Sequence, residues 1–252
     1  MPLIAVTSFK GGAGKTMLAA NLAVGLTSLG WRVLAADFDP QDALKVHFGL
    51  DPCDSRGFAS QMLSGSAWED SVYGADARVD VMPFGRVSAG LAGSIAGMMA
   101  ADSGRIVANL ANLARDRMVI VDAPSLPAAG TKRLCDASDL VIVATPTNAG
   151  SYAALALADP DTFLAADGIL PKTIVVANSY EDTNELQRGI LALLTRMFGT
   201  KLAATIEYDD AVDEALATRR TVLLHDHASP AARSLVALAL AVDRLCAPTG
   251  SR

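Results

Sequence analysis

Cysteine is scarce in this chain. Three residues, Cys53, Cys135 and Cys246, lie far apart among 252, and no CxxC pair occurs. A disulfide framework is therefore not expected, and the thiols read as reduced and mostly buried, as in a cytoplasmic protein. Long hydrophobic runs are missing as well. The longest, LVALALAV at 235–242, falls well short of the roughly 20 residues that cross a bilayer, so it reads as a buried helix and not as a membrane anchor. No basic region or cleavage site accompanies the N-terminal MPLIAVTSF, whose apolar part is strand-length, so no targeting signal is expected. Positive charge is in deficit, with a net charge of −6, which argues against a surface devoted to nucleic acid while leaving room for a local basic patch.

What is present is a large apolar fraction, 51%, against 19% charged residues, which rules out a disordered chain and suffices for a sizeable core. Short apolar runs alternate with helical patterns. Strands are expected at 3–8, 32–37, 79–83, 118–123, 140–145, 172–178 and 202–206, with helices at 15–29, 104–115, 150–166, 183–197 and 230–246. That alternation predicts an α/β fold with a mostly parallel central sheet covered by helices on both faces. No linker or repeat interrupts it, so 1–252 reads as one domain. The least regular stretch, 51–77, should hold a short helix around GFASQML; the glycine-rich 85–104 reads as either mobile or closely packed.

The chemistry concentrates in SFKGGAGKT, residues 8–16. A strand running through glycines into Lys-Thr and a helix is a phosphate cradle: Gly11, Gly12, Ala13 and Gly14 let backbone N–H groups approach an anion, and the helix N-terminus adds positive potential. Lys15 would reach the β- and γ-phosphates of a nucleotide, the Thr16 hydroxyl would ligate Mg²⁺, and Met17 continues the contact. The strict pattern G-x-x-x-x-G-K-[ST] fails, because Phe9 stands at the first glycine. The pattern K-G-G-x-G-K-[ST] fits throughout and leaves a second lysine, Lys10, to be explained. FDPQDAL puts Asp37 and Asp39 at the C-terminal end of the second strand, the sheet edge where ligands sit. They could also cap the following helix, a role that suits Asp42 better. MVIVDAPS places Asp122 after four apolar residues in a Walker B arrangement, where it would hold Mg²⁺ through water.

This loop resembles the deviant Walker A loop of the MinD/ParA group of P-loop ATPases. The resemblance implies a nucleotide-bridged homodimer in which Lys10 crosses to the phosphates bound by the other subunit, so that ATP, Mg²⁺ and two chains form one site. The alternative is that Lys10 only supports its own loop. The resemblance further implies that Asp39 positions or activates the attacking water, that Asp37 lies near the metal shell, that Ala123-Pro124-Ser125 senses the γ-phosphate, and that the Asn178 amide reads the adenine edge. Ile206-Glu207 replaces the family's usual Ile-Pro beside the base. No NKxD-like element follows the strand, which favours ATP over GTP. Lys10, Lys15 and Asp39 are thus the catalytic candidates; Thr16, Asp37 and Asp122 are the metal candidates.

Within that group, the chain lacks the basic amphipathic C-terminal helix of MinD, the CxxC of iron–sulfur scaffolds, and the extension that precedes the loop in large partition proteins. Gly57-Phe58, Met62-Leu63, Gly65, Trp68, Asp70 and the MPFG turn within 55–88, together with 207–233, resemble the BcsQ (YhjQ) family of cellulose-biosynthesis proteins. This implies a cytoplasmic, slowly hydrolysing ATP switch. Its partners would be a small companion subunit and regulatory components of the cellulose synthase complex, through which it would reach the inner membrane. The rival reading is a small ParA-type ATPase that positions DNA or other cargo, using Arg188, Arg196, Arg219, Arg220 and Arg233. A third is a metabolic ligase or kinase of the same fold. His225-Asp226-His227 lacks the neighbours of a closed metal site and reads as a surface loop. Trp68 and Tyr73 read as satellite packing, or as an interface if exposed.

Overall fold

The computed structural model describes residues 1–75, 78–101, 103–157 and 172–247. Eight strands form one sheet: β1 (Leu3–Thr7), β2 (Val33–Asp37), β3 (Tyr73–Gly74), β4 (Asp80–Met82), β5 (Met118–Asp122), β6 (Leu140–Pro146), β7 (Thr173–Tyr180) and β8 (Leu202–Glu207). Their order is β3-β4-β2-β5-β1-β6-β7-β8, all parallel except the short edge strand β3. Every residue of β1, β2 and β5 is buried, as expected of central strands covered on both sides.

Side chains alternate between the two faces with the two-residue period of a strand. Ile4, Val6, Ile120, Ile142 and Val176 face one core, closed by α1 (Lys15–Ser28) and the C-terminal helix; Val119, Val121, Val141 and Val175 face the other side. That second side is covered by α2 (Phe58–Ser64), α3 (Ala89–Ala101), α4 (Ser103–Leu113), α5 (Ala129–Ala137), α6 (Ala149–Ala156) and α7 (Glu185–Phe198). Among the described residues the remaining α-helices are α8 (Ala211–Ala217), α9 (Val222–His225) and α10 (Pro230–Cys246). Helices α1 and α10 cross closely because position 25 is glycine: a Cβ there would stand 2.7 Å from that of Ala239.

All seven expected strands form, with ends within two residues of expectation, and the sheet gains β3. Other stretches are filled in, and some readings are corrected. The glycine-rich stretch contains a regular helix, α3, which buries Ile95 and Met99. Residues 129–137 form a further helix, α5. The C-terminal helix is only half buried: Leu235, Leu238 and Val242 pack inward, whereas Val236 and Leu240 lie on the surface. Trp68 belongs to the core, its ring 5.4 Å from that of Phe58, which also stacks on Phe38 at 4.4 Å. Residues 158–166 of the expected helix 150–166 lie outside the described residues. Consecutive strands β5 and β6 flank β1, so the chain changes direction across the sheet at the C-terminal end of β1, where open α/β sheets form their binding crevice.

Candidate functional site

A cleft of about 480 Å³ opens there, lined by Gly12 to Met17, Asp39 and Asn178. The loop enters α1 through Gly14 in the left-handed region (φ 82°), a conformation that L side chains rarely adopt. Space forbids a side chain as well, because a Cβ on Gly14 would stand 2.2 Å from the Asn178 amide nitrogen. That amide donates to the Ala13 carbonyl at 3.0 Å, so Asn178 braces the loop from the end of β7. Its Oδ1 is buried without a partner. Ser8 braces the other side, donating to the Lys10 carbonyl at 2.7 Å and meeting the Ser125 hydroxyl at 3.1 Å.

The charged groups sit at the strand ends. Lys15 is 8% exposed, with Nζ 3.9 Å from Asp39 Oδ2 and 3.4 Å from Ser125 Oγ. The Thr16 hydroxyl donates to Asp122 Oδ2 at 2.6 Å, while Asp122 Oδ1 is buried and unpartnered. Asp37 and Asp122 are register partners on adjacent strands and have no solvent exposure. Burial, then the nearby Asp122 carboxylate, holds the Asp37 carboxyl well above the usual carboxylate range. Burial likewise pushes Asp122 up to about 7, against the opposing pull of the Thr16 hydrogen bond and the Lys15 charge. Thr16 and Asp122 supply the hard oxygen donors that suit Mg²⁺, and an orphaned, desolvated carboxylate oxygen is what a cation there would satisfy.

Asp37 also organises the loop after β2. Its two oxygens accept the amides of Asp39 at 2.9 Å and Leu44 at 3.0 Å, so it performs the bracing that the sequence assigned to Asp42. Asp42 is no cap. It lies at φ 53° and pairs with Lys45 at 2.6 Å. The other expected residues divide. Gly11 is exposed and does not line the cleft. Lys10 is exposed beside the first turn of α6, where a Cβ on Gly150 would stand 2.8 Å from its Nζ. Ile206 is core and Glu207 does not reach the cleft. The cleft is lined as well by Val212, Asp213 and Leu216 of α8 and by His47, whose imidazole burial pushes down to about 4. Neither His47 nor the α8 residues carried a local sequence signal. The expected surface loop at His225-Asp226-His227 is corrected in part: all three residues are exposed, but His225 is the last residue of α9, its Nε2 3.7 Å from Glu214 Oε2.

Comparison with known proteins fixes the lineage. The family model of the cellulose biosynthesis protein BcsQ matches residues 1–242. The chain belongs to the BcsQ family. BcsQ of Escherichia coli K12 is 34% identical over 88 residues, and the matched part spans 35% of each chain. The chromosome-partitioning ATPase Soj of Thermus thermophilus is 30% identical over 245 residues, covering 94% of this chain and 93% of Soj. In fold, the septum site-determining protein MinD of Pyrococcus horikoshii, solved with Mg-ADP, superposes with a TM-score of 0.78 at 22% identity, covering 98% of this chain and 97% of MinD. This BcsQ-family chain is thus related to the ParA-type ATPases over 94% of its length and has the P-loop NTPase fold of MinD. Among its described residues no helix is long and apolar enough to cross a membrane.

Proposed function

We propose that the chain is one ATPase domain that binds ATP·Mg²⁺ in this cleft, dimerises across the nucleotide, hydrolyses it slowly and thereby switches the cellulose synthesis and secretion machinery. The observation that carries the nucleotide part is the Thr16–Asp122 pair beneath the loop: a 2.6 Å hydrogen bond beside an orphaned carboxylate oxygen. Backbone amides of residues 11–16 would cradle the phosphates, with Lys15 among them. Thr16 and Asp122 would hold Mg²⁺, Asp37 supporting them from the next strand. When bound, the ion would neutralise charge that develops on the transferred phosphoryl group. Asp39, 20% exposed beside Lys15, would orient the attacking water. Lys10 is exposed and does not line its own cleft, which suits donation to the phosphates of a second copy and would leave each site incomplete alone. The unpartnered Asn178 oxygen would accept the amino group of adenine, where guanine presents another acceptor.

ATP held between two copies would stabilise the dimer by linkage, and hydrolysis would remove that contribution. The cellulose role rests on family membership. The partners that go with it are a small cytoplasmic companion subunit and regulatory components of the synthase, which would recruit the chain to the inner membrane. The full-length likeness to Soj keeps a second reading, in which the ATP dimer binds nonspecific DNA through exposed Arg188, Arg196, Arg219, Arg220 and Arg233.

Solution mass with ATP·Mg²⁺, with ADP and without nucleotide tests both. Doubling by ATP in wild type and Asp39→Ala, but not in Lys10→Ala, with no effect of added DNA, would support the switch. A mass indifferent to nucleotide would sink the role of Lys10. A salt-sensitive shift of the ATP dimer onto DNA would replace the secretion reading by the partitioning one.

A further inference from the structure

Lys45 is 2% exposed, more deeply buried than Lys15 in the phosphate loop. An ammonium so far from water needs fixed acceptors, and it has two. Its Nζ lies 2.6 Å from Asp42 Oδ2 and donates to the Asp54 carbonyl at 2.7 Å. Neither contact touches the cleft.

The importance of that position lies in what surrounds it. Residues 39–44 form a short loop whose two ends hang on one carboxylate, Asp37, through the amides of Asp39 and Leu44. Asp42 stands inside the loop in the left-handed region and donates its amide to the Asp39 carbonyl at 3.0 Å. Lys45 therefore grips the loop from within and ties it to a separate segment. That segment is itself anchored: the Asp54 carboxylate accepts the Arg56 amide and guanidinium, and Phe58 and Ala59 donate to the carbonyls of Pro83 and Phe84. The tether thus runs from the residue beside Lys15 to the end of β4.

We propose that Lys45 is a positioning residue for Asp39: its ammonium, bridging Asp42 and the Asp54 carbonyl, sets the height and orientation at which the loop presents the Asp39 carboxylate to the cleft. The inference rests on Asp39 acting on the attacking water. A displacement of about 1 Å in such a group costs on the order of 100-fold in rate, whereas nucleotide affinity, carried by the phosphate loop and Asn178, would be spared.

The test uses the full chain as wild type, Lys45→Met and the double variant Asp42→Asn/Lys45→Met. The single variant strands a buried carboxylate and loses stability for that reason alone; the double variant removes both charges and regains it. For each, melting temperature, affinity for a fluorescent ATP analogue with Mg²⁺, phosphate release and hydrogen exchange of residues 38–48 are measured. The expected result is a double variant with restored melting temperature, affinity within about 3-fold of wild type, phosphate release down about 10-fold or more, and faster exchange in 38–48. Recovery of turnover together with stability would overturn the proposal and leave Lys45 as a counter-ion to Asp42. If the wild type releases no phosphate, the ATPase reading of Asp39 fails by itself. Exchange then decides the positioning: unchanged protection of 38–48 in the double variant overturns it, and lost protection upholds it.

Discussion

The two ends of the cleft are built differently. Beneath the phosphate loop three ionisable groups are buried and set against one another: Lys15, Asp37 and Asp122 have 8% exposure or less, and the Thr16 hydroxyl is spent on Asp122. Beyond that loop the buried polar groups among the lining residues are Asn178 and His47, and Val212, Asp213 and Leu216 are half-buried or exposed. A low-dielectric, pre-arranged set of charges can discriminate between states that differ in charge. An open, half-apolar wall can only accept a flat ring and read one edge of it. The contrast implies that function is decided at the phosphate end and merely tuned at the base end.

The largest expected effect tests that ranking directly. Lys15→Ala should reduce phosphate release by about 10²- to 10³-fold, the usual loss for a group that meets developing charge. A fall of less than about 10-fold in single-turnover phosphate release would mean that the buried set is structural.

A second test uses protons. Asp122 and Asp37 titrate above the unfolded carboxylate range, so the native chain retains protons that the unfolded chain gives up. The Asp122 contribution to stability without ligand is fully present below about pH 4 and is lost as pH rises to about 7, and that of Asp37 is lost in the same direction. A bound cation reverses the sign, since it requires the ionised carboxylate. The rise in melting temperature given by ADP·Mg²⁺ should therefore grow as pH passes from 5.5 to 8, and Asp122→Asn should flatten that growth. A pH-independent rise in the wild type would contradict the assigned burial of charge.

How much of this was legible in the sequence follows from how far each signal is spread along the chain. The phosphate loop is contiguous, and its glycines, lysines and Thr16 announce their own chemistry. The strands were readable because doubly buried β-strands demand unbroken apolar runs. Helix α3 was not, because its glycines left the stretch open between mobile and closely packed; it survives by packing, and a Cβ on Gly130 of α5 would already press to 3.3 Å on Met99. His47, Val212 and Leu216 are brought to the cleft by topology from segments with no motif. Asp42 was misread for a different reason. Its place before a helix suggested a cap, but a lysine three residues on, inside the core, captured it.

A third, smaller effect lies at the base end. Asn178→Ala removes both the donor to the Ala13 carbonyl and the free acceptor, and should weaken ATP binding by about 1–3 kcal/mol, roughly 5- to 150-fold, while narrowing the preference for ATP over GTP. Equilibrium titration with both nucleotides reads it. Unchanged discrimination would assign Asn178 to loop bracing alone.

The smallest effect is the one that most sharpens the contrast. Asp213 lines the cleft near Asn178, and its position invites a reading as a second base contact. It is exposed, however, on a short helix that already carries Glu214 beside it, and water and salt screen whatever it offers. Asp213→Asn keeps the shape and removes the charge, so ATP affinity should shift by less than about 3-fold, and less at high salt than at low. A salt-resistant loss of 10-fold or more would mean that α8 closes over the base and excludes water when nucleotide is bound. The base end would then be as tightly specified as the phosphate end, by a movement of α8 instead of by fixed burial.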